Sequence, residues 1–281
     1  MKTIKLQQVS EKVKHLCQEA NVVLGADVIA ALVKFRQAEQ SPTGRAILDQ
    51  ILENAEVARI ENAPLCQDTG FAVFFVELGR DVRLSGQGTL EDAINRGVAA
   101  GYTEGYLRKS IVSDPLERKN TGDNTPAVVH LFQVPGDCLK ITFAPKGGGS
   151  ENMSRLAMLK PSDGIEGVKE FVVEGVKIAG ANPCPPIIVG VGIGGTFERC
   201  ALVAKKALLR EIGSWHPDPV YGGLEKELLE LVNATGIGPQ GLGGSTTALA
   251  VHVETYPCHI ASLPVALNMQ CHSARHLTAC F

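Results

Sequence analysis

Apolar positions recur every three or four residues through the first ~60 residues, the spacing of helices that bury one face. Val9, Val13, Leu16, Cys17 and Ala20 define a first helix and make Cys17 a core residue. Asp27 is placed to cap a second helix through Val28, Ala31, Leu32 and Phe35. Ser41-Pro42 offers an N-cap and a first-turn proline to a third, through Ile47, Ile51, Leu52 and Val57. The pattern then changes. Residues 71–78 predict a strand, apolar without a break from Phe71 to Val76, followed by a predicted helix over 90–107. Residues 128–134 and 139–143, joined by Pro135-Gly136-Asp137-Cys138, predict an antiparallel hairpin. Further on the pattern gives a helix over 165–179, a strand ending near Gly195, helices over 196–210 and 224–232, and a strand over 247–254. Helices gathered early and strands later predict an α+β fold. A helical N-terminal scaffold, residues 1–62, packs with an antiparallel or mixed sheet inside one domain spanning 1–281.

Composition narrows the class. With 281 residues, 44% apolar and 20% charged, the chain has the makeup of a globular protein with a substantial core. A net charge of −3 and the lack of a Lys/Arg block exclude a dedicated nucleic-acid surface. No uninterrupted apolar run reaches the ~18 residues of a membrane span, and no signal-peptide core follows Met1-Lys2-Thr3. The expected compartment is the cytoplasm. There, eight cysteines point to metal or catalysis rather than disulfides. None lies in a C-x-x-C pair, so a metal site must be assembled from distant segments.

The candidate chemistry sits in loops. Ala63-Pro64-Leu65-Cys66-Gln67-Asp68-Thr69-Gly70 is bracketed by proline and glycine and leads into the first strand. It sets a thiol beside an amide and a carboxylate. Lys146-Gly147-Gly148-Gly149-Ser150-Glu151-Asn152 can form a backbone N–H nest for an anion. Asn182-Pro183-Cys184-Pro185-Pro186 fixes a second thiol in a stiff loop. A third stiff thiol is either Cys258, in Tyr256-Pro257-Cys258-His259, or Cys271, in Asn268-Met269-Gln270-Cys271. Three thiolates from separate loops suit an iron–sulphur cluster better than zinc. Competing readings remain: Gly190, Gly192 and Gly195 match a dinucleotide-binding pattern, and His272 and His276 stand at the i,i+4 spacing of a helical metal pair. Cys200 reads as core, Cys138 as incidental and Cys280 as frayed.

These blocks, with Gly238-Pro239-Gln240-Gly241-Leu242-Gly243-Gly244, occur in an order that resembles the class I, oxygen-sensitive fumarate hydratases and the related tartrate dehydratases. The likeness covers nearly the whole chain and matches the alpha subunit of the two-subunit members. It implies that Cys66, Cys184 and Cys271 ligate a 4Fe–4S cluster. It also implies that Gln67, Asp68, Arg108 and Gly148 line a dicarboxylate pocket, with Asp68 and His259 catalytic. A beta subunit would supply the remaining substrate-binding groups, in an alpha2beta2 assembly built on an alpha–alpha dimer, and the chain alone would be inactive. The implied reaction is fumarate hydration to (S)-malate, with L-tartrate dehydration as the alternative.

Overall fold

A computed structural model describes residues 2–281. In chain order the elements are β1 (Lys2–Lys5), α1 (Leu6–Val22), α2 (Ala26–Ala38), α3 (Pro42–Glu61), β2 (Phe71–Gly79), β3 (Val82–Ser85) and α4 (Leu90–Glu104). There follow β4 (Val128–Val134), β5 (Leu139–Lys146), the one-turn α5 (Gly148–Glu151), β6 (Arg155–Leu159), α6 (Gly164–Ala179) and β7 (Ile187–Gly194). The last are α7 (Phe197–Ala207), α8 (Pro219–Asn233), β8 (Ala248–Tyr256), β9 (Leu263–Gln270) and β10 (Leu277–Cys280). The class is α+β, with mixed sheets. The described residues form two compact units, 2–24, 55–148 and 275–281 in one, and 25–54 and 149–274 in the other.

The first unit is a four-stranded sheet, β10-β5-β2-β4, with α1 and α4 on one face. Val9, Val13, Leu16 and Cys17 of α1 are buried with Ile94, Val98 and Tyr102 of α4 and with Phe74, Ile141 and Phe143 of the sheet. Thr89 starts α4 with a reciprocal cap: its hydroxyl accepts the Asp92 N–H at 3.1 Å, and the Asp92 carboxylate accepts the Thr89 N–H at 2.8 Å. The predicted hairpin does not form. β2 lies between β4 and β5, parallel to the first and antiparallel to the second. A strand whose five residues 72–76 are all buried needs hydrogen-bonded neighbours on both edges, and β2 takes both. The turn after β4 arches over its end, where Gly79, Arg80 and Asp81 donate to the carbonyls of Cys138, Val134 and Gly136. Cys280 is not frayed; it pairs with Lys140 in the β10–β5 ladder.

The second unit is a sheet of order β6-β9-β7-β8, with β7 parallel to β8 and antiparallel to β9. Its core joins Val168, Val172 and Val176 of α6 and Leu224, Leu228 and Val232 of α8 to the inner faces of β7, β8 and β9. Asp27 does not cap α2, which starts from Gly25; its carboxylate accepts the Ile212 N–H at 3.0 Å. Ser41 does cap α3, accepting the Gly44 N–H at 3.1 Å. The buried positions of α3 are Leu48, Ile51, Ala55 and Ala58, and Val57 faces outward. By length and composition 6–38 is apolar enough to cross a membrane, an average over two helices that a search for unbroken runs does not register. Residues 23–25 break it into α1 and α2, and Val9, Val13, Leu16, Val28, Ala31 and Leu32 are buried in the core.

Gly190 and Gly192 lie inside β7, where α7 packs directly on the strand. A Cβ at Gly190 would stand 2.2 Å from the Ala204 carbonyl oxygen, and one at Gly192 2.3 Å from that of Cys200. The glycine pattern therefore serves helix–strand packing, not a dinucleotide. Gly190→Ala is expected to destabilise the chain by about 3 kcal/mol, because the obstacle is backbone and cannot rotate away. Urea unfolding measures this, and an alanine variant as stable as the parent contradicts it.

Candidate active site

The turn before β2 is built by hydrogen bonds within the first unit. Leu65 is buried and donates its N–H to the Asn21 carbonyl at 2.8 Å, which anchors the entry. The Asp68 N–H then points at the Cys66 Sγ, 3.4 Å away, and the Cys66 thiol reaches the Gln67 amide oxygen at 3.3 Å. One Asp68 carboxylate oxygen accepts the Gly70 N–H at 3.0 Å, the expected Asx turn. The other accepts the Gly148 N–H at 2.7 Å. So the glycine nest already holds a carboxylate, that of Asp68.

Gly70 is required by geometry. Its φ is +80°, and a Cβ there would be 2.7 Å from the Lys146 nitrogen. Three further groups hold the turn from beneath. The Tyr102 hydroxyl lies 2.8 Å from the Thr69 carbonyl oxygen and 3.1 Å from that of Gly70. Burial raises the Tyr102 pKa well above its ordinary value, so the phenol remains a donor. Asn124, buried and at φ 64°, donates to the Gly70 carbonyl at 3.1 Å and accepts the Ser110 N–H at 2.7 Å. The Thr69 hydroxyl donates to the Arg108 carbonyl at 3.1 Å. Arg108 is thus fixed beside the turn through its backbone, while its exposed guanidinium has no protein partner among the described residues.

Cys184 and Cys271 belong to the second unit and come to one end of its sheet. Cys184 precedes β7, Cys271 follows β9, and the antiparallel register sets Ile188 opposite Gln270. The Cys184 carbonyl lies 3.3 Å from the His272 N–H and 3.0 Å from His272 Nδ1. Gln240 closes the arrangement, donating both its backbone N–H and its side-chain amide to the Pro185 carbonyl at 2.8 Å. Cys184 and Gln240 both take positive φ, 56° and 53°, which a non-glycine residue keeps only where its surroundings hold it. Residues 271–276 are not helical, so His272 and His276 do not share a helix face.

Cys258 and His259 stand elsewhere. The β8–β9 connection leaves the sheet where Tyr256 is opposite Gly194, at the far end of β7. Eight residues of β7 at ~3.3 Å each put His259 about 20–25 Å along the sheet from Cys184 and Cys271. The structure therefore brings Cys271, not Cys258, to Cys184, and it leaves His259 away from both. His259 is exposed, its Nδ1 accepting the Ala261 N–H at 3.1 Å. Cys17 and Cys200 are buried core thiols, and burial raises the Cys200 thiol to about 12.

A sequence model described as fumarate hydratase (Fumerase) matches residues 10–280. A Methanocaldococcus jannaschii protein, provisionally named L(+)-tartrate dehydratase subunit alpha, is 45% identical over 273 residues, covering 95% of each chain. The L(+)-tartrate dehydratase subunit alpha of Escherichia coli is 37% identical over 255 residues, 90% of this chain and 84% of the relative. The same-named subunit of Shigella boydii has the same identity and coverage.

The chain belongs to the fumarate hydratase family.

All six loop blocks of this family member lie inside the matched region. Among the described residues no three His, Cys, Asp or Glu side chains gather as a ready-made metal-ion site. The cysteines nevertheless fit a thiolate-held cluster in kind. Cys66 receives a backbone N–H at sulphur, and Cys184 and Cys271 are borne on segments tied to each other by backbone hydrogen bonds.

Composition and motifs gave no sign of Glu39, which fixes the glycine loop carrying Gln240. Fully buried, its carboxylate accepts the N–H groups of Ser245 and Ser41 at 2.9 Å and the Ser245 hydroxyl at 3.1 Å. Burial pushes its pKa up, but the Ser245 and Ser41 N–H groups and the Thr246 and Ser245 hydroxyls outweigh burial and hold it down at about 2. A carboxyl depressed from 4.5 contributes stability that is whole above pH 4.5 and lost as pH falls toward 2. That contribution is about 3 kcal/mol. Glu39→Gln is expected to lower stability at pH 7 and to flatten its pH dependence between those values. Urea midpoints measured across that range test it, and an unchanged acid slope contradicts it.

Proposed function

We propose that this chain is the alpha subunit of a two-subunit 4Fe–4S hydro-lyase interconverting fumarate and (S)-malate. The observation that carries this reading is the Asp68 turn. A carboxylate held at both oxygens by backbone N–H groups stands two residues from Cys66, within a family described as fumarate hydratase. In this reading Cys66, Cys184 and Cys271 hold the cluster. When bound, it supplies an iron with an open position that acts as a Lewis acid toward a hydroxyl or carboxylate.

The chain's own residues do the rest. Arg108 clamps one substrate carboxylate bidentately, a task for which its exposed guanidinium is free. Gln67 orients the substrate with its amide. Asp68 gives a proton to the C2 hydroxyl, which departs as water in the direction of fumarate, and takes it back in hydration. Gly148 contributes by holding Asp68 in place. The base that removes the C3 proton belongs to the beta subunit, so the chain alone is inactive. His259, the second residue expected to be catalytic, stands at the other end of the second sheet. An alpha–alpha dimer forms the centre of an alpha2beta2 assembly.

A second reading, L-tartrate dehydration, is favoured by the names of the relatives at 37–45% identity. Turnover of malate and L-tartrate by the anaerobically purified pair separates the two. The expected result is faster release of fumarate from malate, and none from the alpha chain alone. Cys66→Ser is expected to lower that rate on the order of 100-fold or more. Turnover of tartrate but not malate would replace the substrate and keep the reaction class; turnover of neither would sink both.

A further inference from the structure

Arg275 has no place in the reading so far. It lies between Cys271 and β10, and the β10–β5 register, Leu277 opposite Phe143, carries it toward the end of the sheet where Phe71 pairs with Lys146. Its side chain is buried, at 3% exposure. One nitrogen, Nη2, donates to the Asp68 carbonyl at 2.8 Å. Nε and Nη1 are buried with no hydrogen-bond partner among the described residues, and no carboxylate pairs with the guanidinium there. A guanidinium does not shed its proton, so this is a permanent buried charge without a direct ion-pair contact. Its field and that of Asp68 act with opposite signs on the Tyr102 phenol, which places both charges around one knot of buried backbone.

We propose that Arg275 is the positioning residue of the Asp68 turn and that its charge offsets the Asp68 carboxylate, so that a dianionic ligand is accepted beside it. The second half rests on the dicarboxylate reading above; the first does not. Asp68 is then held at three points, two on its carboxylate by Gly70 and Gly148 and one on its carbonyl by a charge-assisted bond. Without the cation, two carboxylates of a substrate and one of the protein would share a site to which this chain brings Arg108 as its other cation. Repulsion among them would fall on binding.

Arg275→Met removes bond and charge, and Arg275→Lys keeps the charge. Hydrogen exchange of the 66–70 peptide, measured on the full alpha chain, reads positioning without any activity. The methionine variant is expected to exchange there about tenfold faster, with exchange in β2 and β5 unchanged as the control for folding. If that variant does not fold, Arg275→Gln takes its place. In the assembled pair, assayed in the hydration direction where Asp68 enters as the carboxylate, the methionine variant is expected to raise the KM for fumarate about tenfold while kcat moves less, and lysine to restore most of it. Unchanged exchange at 66–70 overturns the positioning role. A KM that rises equally with lysine overturns the charge role. Should the parent pair turn over no dicarboxylate, the dicarboxylate reading fails, and the exchange measurement still decides the positioning claim.

Discussion

The Asp68 carboxylate, shared between the N–H groups of Gly70 and Gly148, is the contact on which the first unit's share of the site depends. It is possible only because β2 and β5 pair antiparallel to their ends, with Phe71 opposite Lys146, so that residue 68 and residue 148 emerge side by side. Both partners are glycine, and at Gly70 no other residue fits. The consequence is that Cys66 and Gln67 ride on a turn with almost no freedom. Catalytic groups placed this way lose little entropy when a ligand arrives.

The second unit solves the same problem differently. There Cys184 and Cys271 stand at one end of a sheet, and their segments are tied through carbonyls: that of Cys184 by His272, and that of Pro185 by Gln240. Gln240 adopts an unfavourable backbone conformation, and Glu39 keeps its loop in place from behind through Ser245. Strain at one residue and a buried carboxylate at another are each costly alone. Together they fix the loop in place, a form of pre-organisation.

Much of this was legible in the sequence, for identifiable reasons. Helical periodicity located α1, α4, α6 and α8, and stiff proline and glycine loops marked the segments that bear Cys66, Asp68, Gly148 and Cys184. Local patterns failed where the answer was set by long-range pairing. Nothing near 128–143 shows that β2 will insert between β4 and β5. The spacing of His272 and His276 looks helical only until β9 ends at Gln270. The glycines of β7 mimic a nucleotide loop because close helix packing and close phosphate approach demand the same lack of a side chain. Arg275 and Asn124 carried no local signal, since each acts through a backbone carbonyl that the sequence does not bring near; Gln240 lay in a marked glycine loop, but its partner, the Pro185 carbonyl, is equally distant in sequence.

The proposed function requires Cys66, Cys184 and Cys271 to hold an iron–sulphur cluster. The most direct test is the iron and acid-labile sulphide content of the chain, prepared anaerobically together with its partner subunit. The account predicts about four irons and four sulphides per alpha chain. Zinc alone, or no metal after anaerobic reconstitution, would contradict it.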